Sequence, residues 1–332
     1  MTLRLLQYLN AGGERVARVD SDGAVRPLSR RVSTYELARQ AVAEGRTMAE
    51  LLGGEPVEAP VDYATLLREE RLLPPLTHPD PAHCLVTGTG LTHLGSAAAR
   101  DAMHSRLAGN TELTDSMKMF KAGIDGGKPA GDRPGSQPEW FYKGTGHNVV
   151  AGGRTLRSPD FAEDHGEEPE IVGLYFIDDE GRPVRLGFAI GNEFSDHVTE
   201  RRNYLLLAHS KLRQCAVGPM LTPGTPPAHL EGMSRIRRDG AVIWQKSFLT
   251  GEANMCHSFA NLEYHHFKYR QHRVPGDVHL HFFGTATVSF VDNIQVRPGD
   301  EFEVDLPALG APLINRLAVE PCGLSLHGIR IL

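Results

Sequence analysis

At 332 residues the chain is long enough for one large domain with a smaller appendage. Hydrophobic residues make up 40% and charged residues 23%, a balance that fits neither a disordered nor a membrane-embedded protein, and no run approaches the roughly 18–20 apolar residues of a membrane helix. The formal charge of −6 disfavours a general nucleic-acid binder, which presents a basic surface to phosphates. An acidic protein acting on an acidic substrate must then supply local positive charge, from a metal or from placed lysines.

In chain order, LRLLQYL and RVARVD read as short strands separated by AGGE, with SDG making the next turn. Charged residues and glycines interrupt the N-terminal apolar residues, so a secretory signal is not expected and a cytoplasmic location is. STYELARQAVAEGRTMAELLGG predicts a helix that Ser33 or Thr34 caps and Gly53 and Gly54 close. DYATLLREERLL predicts a second, shorter helix before the proline-rich LPPLTHPDP. That segment, near residues 74–81, is the best boundary. The expectation is a small N-terminal α+β domain over residues 1–75 and a larger, catalytic one over 80–332.

HCLVTGTGL predicts a strand entering a glycine turn, and SAAARDAMHSRLA a helix. Residues 121–137, rich in Gly, Pro and charge, predict a mobile surface loop. From Trp140 onward, apolar runs such as IVGLYFID, RLGFAIGN, AVIWQKSFL, VHLHFFGTATVSF and EFEVDLP are separated by turn residues, implying a β-rich domain. Clear helices are expected only at 196–212 and 254–270. Cys84, Cys215, Cys256 and Cys322 form no CxxC pair, which argues against a disulfide framework and a cysteine zinc site.

The sharpest local feature is EEPEIVGLYFID followed by RLGFAIGNEFSDH. Alternate residues of a strand share a face, so Glu168 and Glu170 can point the same way. A hairpin turning at DDEGRP, residues 178–183, would bring Glu193 back towards them. Converging carboxylates repel one another and are costly to bury. A divalent cation removes the conflict, and an all-oxygen set suits Mg²⁺, Mn²⁺ or Ca²⁺. Paired glutamates at a strand edge are, however, usually just solvated.

The wider pattern settles the reading. PEWFYKGTGHNVVAGG, EPE, FAIGNEFSDH, SKLRQCAVGPML and VPGDVHLHFFGTATVSF…VRPGDEFEVDLPALGAPLINRL, in that order over about residues 84–320, resemble the fumarylacetoacetate hydrolase family. The resemblance implies an α+β, β-rich mixed β-sheet roll, typically a homodimer, with Mg²⁺ or Mn²⁺ at its mouth. It implies Glu168, Glu170 and Glu193 as metal ligands, Lys143 and Lys211 as the family's two lysines, and Gly284 with Thr285 holding a substrate carboxylate. The opening GTGLTHLGSAAARDAMH looks most like the sugar-acid branch, whose members dehydrate 2-keto-3-deoxy-pentonates. Two positions depart from the family pattern. The third ligand, usually Asp, is Glu193, and Ser96 stands where hydrolases carry the Glu that pairs with the counterpart of His93.

Loss of that carboxylate points away from hydrolysis and towards expulsion of water. The implied reaction converts a 2-keto-3-deoxy-pentonate such as 2-keto-3-deoxy-arabinonate to 2,5-dioxopentanoate through a metal-stabilised enolate. Lys211 is the expected proton-transfer residue and His93 the second acid or base. Lys143 would orient a metal ligand or meet the substrate carboxylate, and Ser96 or Arg100 would bind substrate oxygens. The alternatives are a hydrolase of diketo acids and a non-catalytic sugar-acid sensor. The expected partner is thus a small 2-keto acid, with neither nucleic acid nor membrane. Sixteen histidines, among them His265-His266 and the His279/His281 pair, invite a zinc reading, but neighbours in sequence rarely share one tetrahedral site.

Overall fold

The computed structural model of the chain describes residues 3–94 and 113–332. The helix expected over 96–108, with Ser96 and Arg100, lies outside the described residues.

Strands β1 (Arg4–Asn10), β2 (Gly13–Val19) and β3 (Val25–Pro27) form an antiparallel meander. The single helix expected over residues 33–54 is two helices, Thr34–Glu44 and Met48–Gly54. Gly45 ends the first in a left-handed conformation, its N–H returning to the carbonyls of Ala41 and Val42. Thr47 then starts the second with a capping box to Glu50, as Ser33 starts the first with Glu36. Apolar spacing survives the break, so the sequence pattern alone does not reveal it. The next helix, Tyr63–Arg68, is shorter than its apolar pattern suggests.

Next come β4 (Cys84–Gly88), β5 (Phe141–Thr145), β6 (Val149–Val150) and β7 (Leu156–Pro159). The expected loop at 121–137 begins inside a helix, Asp115–Gly126. The glycines at 123 and 127 mark close packing. A Cβ on Gly123 would stand 2.6 Å from His257 Nε2, and one on Gly127 would stand 2.4 Å from the carbonyl of Cys256.

The β-rich remainder holds β8 (Pro169–Ile177), β9 (Pro183–Asn192), β10 (Cys215–Val217), β11 (Met220–Pro223), β12 (Leu230–Arg238), β13 (Ala241–Thr250), β14 (Val278–Phe282), β15 (Glu301–Asp305) and β16 (Leu313–Glu320). The helix expected at 196–212 is interrupted, with helical turns at His197–Arg202 and Leu207–Lys211, and the one at 254–270 is Phe259–Phe267.

Among the described residues the strands form two sheets. The larger runs β3-β2-β1-β11-β9-β8-β14-β4-β5 with β10 and β6 attached, and the smaller runs β13-β12-β15-β16-β7. Both are mixed: β14 runs parallel to β4 and β16 parallel to β7, while their other pairings are antiparallel. Because β1 pairs with β11, the N-terminal meander extends the large sheet rather than forming a sheet of its own. Strand β8 is buried at every position. Val172, Leu174 and Phe176 join a core under the two N-terminal helices, and Ile171, Tyr175 and Ile177 join the core shared with the small sheet. Burial on both faces explains why the strand reads as a continuous apolar run rather than an alternating one.

The histidines of the 265–266 and 279–281 pairs pack in the interior. The His266 ring lies 4.5 Å from that of His281 and 4.7 Å from that of His272, and its Nε2 is 2.9 Å from Nδ1 of His279. Burial pushes His279 and His281 down to about 3, so both are neutral at pH 7.

Their ordinary value is 6.5, so below that pH the unfolded chain binds protons that the folded chain refuses. The stability they contribute is complete above about pH 6.5 and falls as the pH is lowered towards 3. Urea midpoints measured across this interval should decline, and His281→Leu should flatten the decline by removing one such group.

Candidate metal centre

The β8–β9 hairpin builds the site at its open end. In its register Pro169 faces Asn192 and Glu170 faces Gly191, so Glu168 and Glu193, one residue beyond each strand, lie side by side. The Glu193 N–H donates to the Glu168 carbonyl at 3.0 Å, and the Asn192 side-chain oxygen accepts from the N–H groups of Glu168 and Phe194, both at 3.1 Å. Glu168, Glu170 and Glu193 are all buried, and one carboxylate oxygen from each lies within 4.8 Å of the others.

Two lysines offset much of this negative charge from below the surface. Lys211 closes a short helix with its Nζ 2.6 Å from Glu168 Oε1, 2.5 Å from Glu193 Oε2 and 3.0 Å from the Ser195 hydroxyl. The Phe141 ring lies 4.9 Å from the same ammonium. Lys143, on β5, places Nζ 2.5 Å from Glu193 Oε1, 2.7 Å from the Phe194 carbonyl and 3.0 Å from the Lys211 carbonyl. The Lys143 ammonium thus donates to two backbone carbonyls and is ion-paired with Glu193.

Glu170 sits differently. Its Oε2 accepts from the Gly284 N–H at 2.6 Å. Burial, together with the charges of Glu168 and Glu193, pushes its carboxyl well above the usual range. Burial acts on Glu168 in the same sense, but Lys211 and His197 outweigh it and hold that carboxyl well below the range. A carboxyl raised by its neighbours' negative charge is what a divalent cation among the three would relieve. The donors are all oxygens on buried side chains, as a hard cation prefers. The residues present therefore fit such an ion.

Gly284 adopts φ +90, and a Cβ there would meet the Thr92 hydroxyl at 2.4 Å. Thr285 is half-buried, and its hydroxyl accepts from the Thr287 N–H at 3.2 Å. His93 is buried, with Nδ1 3.0 Å from the Thr92 hydroxyl and Nε2 2.9 Å from that of Thr250. Thr92 donates to the Phe283 carbonyl, so it accepts from Nδ1–H, and Nε2 then accepts from Thr250. Burial lowers His93 to about 3. It braces the turn that carries Gly284, and Gly284 in turn holds Glu170.

Sequence reasoning missed several polar residues here. Asp164 and His197 adjoin Glu168, with His197 Nδ1 3.1 Å from Asp164 Oδ2 and Nε2 3.0 Å from Glu168 Oε1. Burial opposes the charged ring, but the two carboxylates prevail and raise it to about 10. Glu167 accepts from the N–H and hydroxyl of Ser289, and burial nevertheless raises it to about 7. The one available signal was SDH, starting two residues after the third acid.

No protein-family model matches the sequence, and no curated protein sequence matches it. Solved structures do. A 2-keto-3-deoxy-D-arabinonate dehydratase in its apo form superposes with a TM-score of 0.70 at 20% identity, covering 96% of this chain and 99% of that one. The same enzyme complexed with magnesium and 2,5-dioxopentanoate matches equally well. A 2-hydroxyhepta-2,4-diene-1,7-dioate isomerase from Mycobacterium marinum follows at 0.57 and 17% identity, covering 96% and 99%. The chain thus has a fumarylacetoacetate-hydrolase-like fold over nearly its whole length. No helix among the described residues is long and apolar enough to cross a membrane.

Removing Lys143 should expose the cost of the buried acids. Lys143→Met leaves Glu193 short of a partner and should destabilise the protein by about 3–5 kcal/mol in urea unfolding. Adding Glu193→Gln to that variant should restore part of the loss.

Proposed function

We propose that this protein is an enzyme of the fumarylacetoacetate hydrolase family, a metal-dependent hydro-lyase that dehydrates a 2-keto-3-deoxy-pentonate to 2,5-dioxopentanoate. The observation that carries the reading is the buried cage of Glu168, Glu170 and Glu193 with the Lys211 ammonium bonded into it. Similarity of fold to a dehydratase whose structure contains magnesium and 2,5-dioxopentanoate supports the same reading.

Mg²⁺ is the ion proposed, held by the three glutamates. When bound, it would act as a Lewis acid on a 2-keto acid, withdrawing electron density from the ketone and acidifying the protons at C3. The chain's own residues supply the rest. With the carboxylate charge shared by a cation, the Lys211 ammonium loses part of its compensation, which favours its neutral form. Neutral Lys211 is then the base at hand for a C3 proton, and as ammonium it can return a proton to the departing C4 hydroxyl. Loss of water leaves a C3=C4 double bond conjugated with the ketone; moving a proton from C5 to C3 gives the C4=C5 enol, and its ketonisation yields the aldehyde. His93, neutral and bonded to two threonines, is proposed as a brace of the Gly284 turn rather than as the acid. Gly284 and Thr285 remain the proposed holders of the substrate carboxylate. A homodimer in the cytoplasm is the proposed context.

Purified protein with Mg²⁺ and 2-keto-3-deoxy-arabinonate should produce 2,5-dioxopentanoate, read by a coupled aldehyde dehydrogenase. Chelation of the ion should stop the reaction, and re-addition should restore it. Glu170→Gln should abolish turnover while leaving the far-UV spectrum unchanged. Full activity in that variant would remove the metal assignment, and release of pyruvate from a diketo acid would favour hydrolysis.

A further inference from the structure

His197 opens the helix His197–Arg202 directly after Asp196, whose carboxylate caps it by accepting from the Thr199 N–H. The ring is buried, and both of its nitrogens face carboxylate oxygens. A carboxylate only accepts, so both nitrogens donate. The Phe290 ring packs on the imidazole at 5.3 Å and 33°, fixing its plane.

The backbone has also made way for this ring. Gly166 and Ser195 exchange backbone hydrogen bonds of 3.0 and 2.9 Å, holding Gly166 against the imidazole. A Cβ on Gly166 would stand 2.0 Å from His197 Nδ1 and 2.2 Å from Cε1. No side chain fits there with the ring in place. Small size at 166 is thus tied to the ring rather than to a turn.

His197 Nε2 and Lys211 Nζ converge on one oxygen, Glu168 Oε1, at 3.0 and 2.6 Å. Two donors on Oε1 fix the rotation of the carboxylate and leave Oε2 as the oxygen to offer to a cation. We propose that Asp164 and His197 are a positioning pair that locks Glu168 in its ligating orientation, with Gly166 kept small to admit the imidazole. This rests on the reading of Glu168 as a metal ligand. Partners of this kind around a ligating group set metal affinity through geometry, and their loss costs about 10–100-fold in binding.

Titration calorimetry of Mg²⁺ into the full-length, metal-stripped protein tests the pair. Asp164→Asn and Gly166→Ala should each weaken binding about 10–100-fold. His197→Phe should do the same, and His197→Gln, which keeps a donor towards Glu168, should recover part of the loss. Unfolding midpoints of the metal-free variants separate this effect from misfolding, and Asp164→Asn, nearly isosteric, should stay close to wild type. Binding within about twofold of wild type in Asp164→Asn and His197→Phe, while Glu170→Gln has lost the ion, overturns the positioning role. Wild-type binding by Glu170→Gln would instead remove the metal-site reading, and this inference with it.

Discussion

Three buried carboxylates within 4.8 Å of one another are the constraint on which the rest of the structure depends. At an effective dielectric of about 20, two like charges about 4 Å apart repel by roughly 4 kcal/mol. Such a cluster persists only where opposite charges are built in at comparable distance. Lys143 and Lys211 meet that need, both wholly buried, the first paired with Glu193 and bonded to two backbone carbonyls, the second bonded to Glu168, Glu193 and the Ser195 hydroxyl. The two lysines arrive from different parts of the chain, one from a strand and one from a short helix. Correct charge pairing is therefore also a statement that strand β5, the hairpin and that helix have docked together.

The hairpin was readable because its physics is local. Continuous apolar runs on either side of DDEGRP specify two buried strands and a turn, and the observed β8 and β9 register brings 168 and 193 together. The lysines were placed only through family resemblance, since nothing local distinguishes a buried lysine from a solvated one. Asp164 and His197 went unseen because the relation between them exists only after folding, when Gly166 makes room for the ring. Errors in element assignment share that origin. Glycines at 123, 126 and 127 signalled a loop, yet the first and last are small because His257 and Cys256 press against them. Gly45 broke a helix whose apolar spacing ran straight through it.

On the proposed reading, holding a 2-keto acid and deciding what happens to it fall to different parts of the site. The carboxylates and lysines are common chemical equipment for stabilising negative charge on a bound ketone, and dehydration and C–C hydrolysis both need it. The turn carrying His93 is where those reactions would diverge. There the imidazole nitrogens meet the hydroxyls of Thr92 and Thr250, and burial lowers the ring to about 3. A ring held neutral in this way is poorly equipped to activate water. On the proposed reading, that lowered ring and the residue at position 96 favour the same reaction.

Charge also explains why an ion and an acidic substrate would suit this site together better than singly. Asp164 and His197 offset each other, leaving three carboxylates against two ammonium groups and hence one negative charge. A divalent ion reverses that balance to one positive charge, and a monoanionic 2-keto acid cancels it. On the proposed reading, with all three carboxylates and both lysines ionised, neutrality is reached in the complex containing both. The raised carboxyl of Glu170 fits this logic from the other direction. Before a cation is present it is the acid with least compensation, bonded to the Gly284 N–H rather than to an ammonium. It is thus the proton-holding member that a cation would displace towards its ionised form. A site tuned in this way stays close to neutral in the absence of the ion and becomes attractive to an anion once the ion has bound.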